Sequence, residues 1–237
     1  MLTFLTLLLF VQYMYVTSAE PTAKKRLILH SAEDVAQTIA KLQNELDALK
    51  KQISRNGITY VRWGRNSCPL DNELVYTGYT AGKHFDDEGS GSTNLYLPKH
   101  PTWGRYVDGN FNGYRGHIFG TEIDIVEPNH IFPYAVSQQD VPCAVCESPR
   151  SKILMTPAMK ECHSNWTMEY GGYLMAGAYN LIGAADYVCM DKEPEFVPHG
   201  GTNDDQHVLY LVEAQCGSLP CPPYVQGREL ACVVCSK

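Results

Sequence analysis

The residues whose spacing is best suited to chemistry are four cysteines in two Cys-x-x-Cys pairs. They are Cys143, Cys146, Cys232 and Cys235. Four thiolates can bind one zinc ion, one pair can exchange disulfides, and the same thiols can form structural disulfides. Redox exchange is disfavoured because neither pair opens a predicted helix or belongs to a βαβ unit. Whether these cysteines bind zinc or form structural disulfides depends on the compartment of the protein, because disulfides persist in oxidising compartments.

The first 19 residues have the pattern of a signal peptide. Residues 2–11 are apolar, and the small residues Thr17 and Ala19 fit cleavage before Glu20. Gln12 interrupts the run, which is shorter than the roughly 18 apolar residues of a membrane span, so an N-terminal anchor and a membrane span are disfavoured. We therefore expect a secreted, extracellular chain whose nine cysteines form disulfides rather than a zinc site.

The sequence contains an internal repeat. The closing motif around Cys143 returns around Cys232, and each copy is preceded by an opening cysteine, Cys68 or Cys162, followed by similar Tyr, Gly-Tyr and Ala residues. The spacing is 94 residues between opening cysteines and 89 between closing pairs. Self-similarity at a fixed period is typical of duplicated units. We predict two half-domains, a first half at residues 57–150 and a second half at residues 151–237.

The cysteine count differs between these halves. The second half has six cysteines, which can form three disulfides in 15 connectivities. The first half has three, and the position that matches Cys189 falls at Leu95 and Tyr96, where there is no cysteine. One first-half cysteine therefore lacks a partner within its half. The second-half set is Cys162, Cys189, Cys216, Cys221, Cys232 and Cys235, and the first-half set is Cys68, Cys143 and Cys146.

Residues 20–56 contain a polar leader and the one long helical pattern of the sequence. Apolar residues alternate in steps of three and four, as in the a/d seam of a coiled coil. The seam residues are Ile28, Val35, Ile39, Leu42, Leu46, Leu49 and Ile53. A helix packed on its own domain is the alternative, but the polar e and g positions favour a narrow seam. The pattern predicts a homo-oligomer and leaves dimer or trimer open.

From Gly57 onward the pattern changes to short alternating runs between turn-rich spacers. Such runs are typical of strands in a mainly β domain stapled by disulfides. The predicted strands are residues 58–63, 73–79, 94–97, 117–126, 131–136, 153–155, 167–175, 187–190, 208–213 and 230–234. The fold class is therefore mainly β, with duplicated disulfide-stapled half-domains preceded by an α-helical coiled coil.

Composition and charge narrow the classes of partner. With 44% hydrophobic residues the chain can bury a core, and its net charge of -7 disfavours nucleic acid and anionic membranes, which require a basic face. The sequence contains no Gly-x-Ser-x-Gly elbow, no His-Glu-x-x-His and no phosphate loop. We therefore expect neither enzymatic activity nor a cofactor.

Two further motifs indicate candidate sites. Asp108, Asn110 and Asn112 match the first half of a calcium loop, but Phe119 stands where the bidentate glutamate belongs, which favours a plain turn. Asn165 begins an Asn-Trp-Thr sequon and is a candidate glycosylation site in a secreted chain.

Two stretches resemble a known family. One runs from Pro-Cys-Ala-Val-Cys at 142–146 through Cys162 and Trp166 to Glu-Tyr-Gly-Gly-Tyr-Leu-Met-Ala at 169–176, and the other is Val-Glu-Ala-Gln-Cys-Gly-Ser-Leu-Pro-Cys-Pro-Pro-Tyr at 212–224. Over residues 57–237 the chain resembles the C-terminal non-collagenous domain of sponge short-chain (spongin-like) collagens. It is more distantly similar to the duplicated C-terminal domain of type IV collagen. No Gly-X-Y repeat is present, so the heptad segment stands where a collagen has its triple helix.

The resemblance implies a β-strand domain that assembles in threes, and it also implies a disulfide pairing. The opening cysteine bonds to the last cysteine of its half, and the middle cysteine bonds to the first of the closing pair. The implied pairs are Cys68 with Cys146, Cys162 with Cys235, Cys189 with Cys232, and Cys216 with Cys221. Cys143 is then a free thiol, which is either buried or links chains.

These features together predict a secreted structural protein of extracellular matrix or mucus type. In this interpretation the coiled coil gathers the chains and the β domain drives assembly, with other matrix proteins as possible partners. A multivalent glycan-binding protein is the alternative, because a coiled coil that presents several small β domains raises avidity for repeated glycans.

Overall fold

The computed structural model describes residues 32–53, 57–109, 115–126 and 130–237. In this part of the chain it forms one helix and eleven strands, and it contains four disulfides. The predictions of a mainly β protein and of disulfide bonding are therefore confirmed.

The helix α1 (Ala32–Ile53) carries the heptad pattern. Glu33 and Asp34 lie in its first turn, where negative side chains stabilise the positive end of the helix dipole. Five seam side chains are 36–57% exposed, namely Val35, Ile39, Leu42, Leu46 and Leu49. Ile53 ends the helix, and Ile28 lies outside the described residues. The apolar stripe is therefore present on the helix, but a coiled coil is not part of this single chain.

Nine of the ten predicted runs form strands, and two further strands, at Gln139–Asp140 and Pro142–Ser148, were not predicted. Their bounds are β1 (Ile58–Trp63), β2 (Glu73–Gly82), β3 (Leu95–Pro98), β4 (Phe119–Ile123), β5 (Gln139–Asp140), β6 (Pro142–Ser148), β7 (Ile153–Pro157), β8 (Thr167–Ala176), β9 (Val188–Asp191), β10 (His207–Leu211) and β11 (Ala231–Ser236). The strand prediction at 131–136 is wrong, because this segment bends. Phe132 and Val136 of this segment are nonetheless buried, so its apolar residues pack into the core although the segment forms no strand.

The strands form a mixed sheet with the order β10-β4-β2-β6-β1-β9-β8-β11-β7. In the first half, β6 lies between β1 and β2, and β3 and β4 pair with β2. In the second half, β11 lies between β7 and β8, and β9 and β10 pair with β8. The closing Cys-x-x-Cys segment thus forms the central strand of each half.

The two halves meet through two parallel strand contacts. One pairs β1 with β9 at Trp63 and Met190, and the other pairs β4 with β10. Arg62 on β1 forms a mostly buried ion pair with Asp191 on β9, with 2.7 Å between Nη2 and Oδ2. Both apolar core clusters contain residues of both halves. Each half therefore contributes to both clusters, and burial of this apolar surface stabilises the halves jointly.

The four disulfides join the partners that the resemblance implied. The pairs are Cys68–Cys146, Cys162–Cys235, Cys189–Cys232 and Cys216–Cys221, with Cα–Cα distances of 5.7–5.9 Å. Cys189 and Cys232 lie in the core, whereas Cys216 and Cys221 are exposed and close a short loop. Four such bonds are typical of proteins that fold in an oxidising compartment.

The bond Cys189–Cys232 should stabilise the fold more than Cys216–Cys221, because it closes a longer loop. Loop-closure entropy predicts a loss of about 4 kcal/mol for the double substitution Cys189→Ala with Cys232→Ala, against about 2 kcal/mol for Cys216→Ala with Cys221→Ala. Urea unfolding of the oxidised variants measures both losses. An equal or smaller loss for the core pair would contradict this ranking.

Candidate assembly site

Strand β3 leaves an apolar edge of the sheet uncovered. Among the described strands it pairs with β2 alone, and its residues Leu95, Tyr96 and Leu97 are 37–43% exposed. The chain that follows it leads to Trp103, which is 76% exposed. An exposed strand edge without charged side chains is a template for pairing with another strand. We name residues 95–103 the donor segment.

The second half contains a segment with the same register, which is buried. Leu97 lies opposite Tyr79 of β2, and Met190 lies opposite Tyr173 of β8. Counting from these pairs aligns the donor segment with residues 188–196. The matching residues include Lys99 with Lys192, Pro101 with Pro194, and Trp103 with Phe196. Val188, Cys189 and Met190 are only 0–5% exposed, and Pro194 is fully buried, so equivalent residues differ sharply in burial.

Glycines on the neighbouring strands support this alignment. A Cβ atom at Gly78 of β2 would lie 2.0 Å from the carbonyl oxygen of Leu97, and one at Gly172 of β8 would lie 1.6 Å from that of Met190. Neither position has room for a side chain. The donor segment and residues 188–196 therefore approach their neighbouring strands equally closely.

Residues 188–196 are covered by β1 and by the turn that follows it. Gly64 in this turn has a φ of 85°, and its carbonyl oxygen accepts a 2.6 Å hydrogen bond from the Glu195 amide. The Glu195 carboxylate accepts hydrogen bonds from the amide and side chain of Asn66 and lies 3.2 Å from Nε of Arg65. Burial opposes ionisation of Glu195, but these hydrogen bonds and the Arg65 charge lower its pKa overall. The segment is thus fixed by polar contacts as well as by strand pairing.

The second half has an equivalent of this covering surface, and it is open. Trp63 of β1 lies opposite Cys143 and Pro157 of β7 lies opposite Cys232, so β7 has the register of β1. Beyond β7, Ala158 adopts a φ of 59° and its amide donates to the Ala231 carbonyl, as Gly64 does to Pro142. We name β7 and this turn the acceptor edge. A mostly apolar groove of about 410 Å³ adjoins it, lined by Ala158, Met159, Tyr224, Val225 and Leu230 among others.

Cys143 is the free thiol of the described chain, and it is fully buried. It lies opposite Gly78 of β2, as Cys232 lies opposite Gly172 of β8. The partner of Cys232 is Cys189, and Tyr96 has the matching register on β3. Burial raises the pKa of Cys143 to about 11, although a hydrogen bond with Thr80 opposes the shift. The thiol is therefore protonated and inert here, and it is not placed to link chains.

The substitution Tyr96→Cys should create a fifth disulfide, with Cys143. Register places residue 96 where Cys189 stands in the second half, so a bond can form without backbone movement. The closed loop predicts stabilisation of about 2–4 kcal/mol relative to Tyr96→Ser, which loses the same aromatic contacts. Thiol counting under denaturing conditions and urea unfolding test this. Two free thiols in oxidised Tyr96→Cys would show that the register argument is wrong.

A buried carboxylate, Glu169, ties the ends of both closing strands together. Ser148 at the end of β6 and Ser236 at the end of β11 donate to it, as do Asn72 at 2.7 Å and Arg150 at 3.2 Å. The Tyr60 hydroxyl also contacts it, and burial together with the Glu169 charge raises the pKa of that tyrosine. Because its oxygens are satisfied by these donors, Glu169 is a structural centre. Its role could not be predicted from local sequence patterns, because its partners lie up to 109 positions away.

The other predicted sites are not brought together. Asp108 is exposed, whereas Asn110 and Asn112 lie outside the described residues. Within the described part of the chain, no group of three His, Cys, Asp or Glu side chains is placed to hold a metal ion. Asn165 is exposed in a turn before β8, with a φ of 65°.

No helix of the described segments has the length and apolarity needed to cross a membrane. No family model matches the sequence.

Proposed function

We propose that this chain is a secreted structural protein of extracellular matrix or mucus type, which assembles with copies of itself. The observation that carries the proposal is the contrast between two equivalent segments. Residues 188–196 are covered by β1, whereas the donor segment is exposed and the acceptor edge is open. A second copy of the chain supplies the surface that each of them lacks.

The proposal includes duplication of a half-domain. The strand pairings within the two halves support it, because they follow the same scheme. In the order of this scheme, the first half supplies β1, β2, β3, β4 and β6, and the second half supplies β7, β8, β9, β10 and β11. In a duplicated unit the contact that joins the halves can be repeated between chains. The donor segment of one copy then pairs in parallel with the acceptor edge of the next, and Leu97 lies opposite Pro157.

Such a contact is head-to-tail, so it leads either to a closed ring or to an open filament. A parallel coiled coil at α1 selects rings, because it fixes a small number of chains. The exposed apolar seam of α1 supports association of the helices. Glu45 at a g position and Lys50 at the following e position carry opposite charges and would pair between chains in a parallel coil, whereas within one helix they lie beside Lys41 and Asp47. We propose a trimer, which is the state that the resemblance implies.

Charges placed in the seam should separate the helices. In the double variant Leu42→Asp with Leu46→Asp, two carboxylates would be buried at a and d positions, which is unfavourable without partners. The control Ala40→Asp with Asn44→Asp adds the same charge at exposed positions off the seam. Sedimentation equilibrium should give a smaller oligomer for the seam variant alone. A monomeric unmutated protein would contradict the heptad interpretation.

A disulfide trap tests the contact between donor segment and acceptor edge. In a Cys143→Ala background, Leu97→Cys combined with Pro157→Cys should give chains linked in series, because the two positions face each other only between copies. Non-reducing gel electrophoresis measures the linkage. Each single variant is the control and can give dimers at most. The absence of linked multimers, or a disulfide between the two positions within one chain, would overturn the proposed contact. Adding Trp103→Ala to the double variant should reduce the yield of linked chains without unfolding the domain.

Glycan binding is the second candidate function. Exposed aromatic side chains, which can stack on sugar rings, support it, and Trp103, Tyr106, Tyr179 and Tyr187 are all at least 64% exposed. A glycan array probed with the purified oligomer distinguishes the two proposals. Binding that survives Trp103→Ala but is lost with Tyr179→Ala would favour a recognition protein over a purely structural one.

A further inference from the structure

His207 lies at the second contact between the halves, apart from the assembly site. It begins β10, where it pairs with Thr121 of β4, and only 2% of its surface is exposed. Its Nδ1 atom is 2.7 Å from the Thr121 hydroxyl, and its Nε2 atom is buried without a hydrogen-bond partner. The imidazole is therefore satisfied on one side only.

The space around the ring is closed. A Cβ atom at Gly82 of β2 would lie 2.3–2.6 Å from three ring atoms of His207, so the ring packs directly on the backbone of the first half. Beside it, the Phe85 amide donates to the Gln206 carbonyl at 2.8 Å, which fastens the following loop to the same junction. A ring held this tightly cannot turn to find another acceptor for Nε2.

No neighbouring charge compensates a proton on this ring. The titratable groups on the surrounding elements are Lys83 and His84 after β2, Glu122 and Asp124 on and after β4, Asp140 on β5, and Asp204, Asp205 and Tyr210 before and within β10. Oε1 of Glu122 accepts hydrogen bonds from the amides of Asp204 and Asp205, at 3.1 Å each, and Oε2 is buried without a hydrogen-bond partner. Burial alone lowers the pKa of His207 to about 4, and no carboxylate opposes it.

We propose that His207 is an acid-sensitive latch, whose protonation opens the β4–β10 contact, one of the two strand contacts that join the halves of the sheet. The neutral imidazole accepts or donates one hydrogen bond at the Thr121 hydroxyl, and its Nε2 atom stays buried without a partner. The imidazolium ion carries an N–H on both nitrogens, and the second has no acceptor in the closed site. Opening exposes the ring to water, which solvates the charge. This inference does not depend on self-assembly.

Two carboxyl groups beside the latch respond in the opposite direction. Burial raises the pKa of Glu122, and the charges of Asp140, Asp205 and Asp204 add to this, although the Asp204 amide opposes it. Burial and the Asp204 charge also raise the pKa of Asp140. A carboxyl group with a raised folded pKa stabilises the fold as the pH falls, whereas a histidine with a lowered folded pKa destabilises it below its unfolded value near 6.5. The test must therefore isolate the histidine.

The experiment compares His207→Asn with the unmutated, oxidised full chain. Asparagine places an amide where Nδ1 contacts Thr121 but does not titrate. Between pH 7 and pH 5 the unmutated chain should show a rise in its unfolding equilibrium constant that exceeds the rise in His207→Asn by about 20-fold, measured by urea unfolding. The control His199→Asn, an exposed residue with a φ of 66°, should retain the full dependence.

A second measurement covers the case in which His207→Asn fails to fold. Titration of the histidine resonances of the unmutated protein by NMR should show one imidazole that stays neutral down to about pH 5. Amide exchange at residues 121–123 and 207–209 should increase on acidification before exchange at β6 and β11 does. An ordinary pKa for His207, or equal pH dependence in both chains, would overturn the latch.

Discussion

The parallel contact between β1 and β9 is the interaction on which the rest of the sheet depends. It joins the halves side by side, so β1 loses its free edge and residues 188–196 become buried. The same contact leaves β3 and β7 as edges, because among the described strands β3 pairs with β2 alone and β7 pairs with β11 alone. A strand edge with apolar side chains is a liability that proteins normally cover. The proposed self-assembly would cover both edges with segments that the chain already contains.

The closing strands β6 and β11 hold this arrangement in place. Each lies between two antiparallel neighbours, and three of the four disulfides attach one of them to another part of the chain. Glu169 then binds the ends of both strands through Ser148 and Ser236. A covalent framework of this kind restricts the unfolded chain, while the carboxylate fixes the folded geometry. The edges β3 and β7 are consequently presented on a rigid support.

Much of this fold could be predicted from local patterns and from the resemblance. Nine of the ten predicted strands are present, because alternation of apolar residues directly reflects the faces of a sheet. The disulfide partners followed from matched positions, since the count alone left 15 connectivities for the second half. The strand prediction at 131–136 failed because apolar residues can also be buried by a segment that pairs with no strand. Phe132 and Val136 pack into the core from a bent segment. Glu169 and His207 were missed because their partners are distant in sequence.

The donor segment could not be identified as an uncovered edge from sequence, because the sequence pattern of a strand does not show what covers it. Residues 188–196 and the donor segment share a lysine, a proline and an aromatic residue at equal spacing but differ in burial, and the acidic residues of 188–196 have no acidic counterpart in the donor segment. The covering surfaces also differ. Arg65 and Asn66 bind Glu195 within the chain, whereas Met159 and Lys160 stand at the matching positions beside the acceptor edge, and Thr102 replaces the glutamate.

The exchange of residues at these positions makes the two contacts different. The donor segment cannot replace residues 188–196 on β1 without removing the carboxylate that pairs with Arg65, whereas its Thr102 needs no charged partner at Met159. In the proposed assembly the donor segment therefore fits the acceptor edge better than it fits β1. In the proposed assembly the contact between chains relies on apolar burial and strand pairing, so screening of charges by salt should affect it little. Such a contact would persist over a wide range of ionic strength, which suits the structural role proposed for the chain.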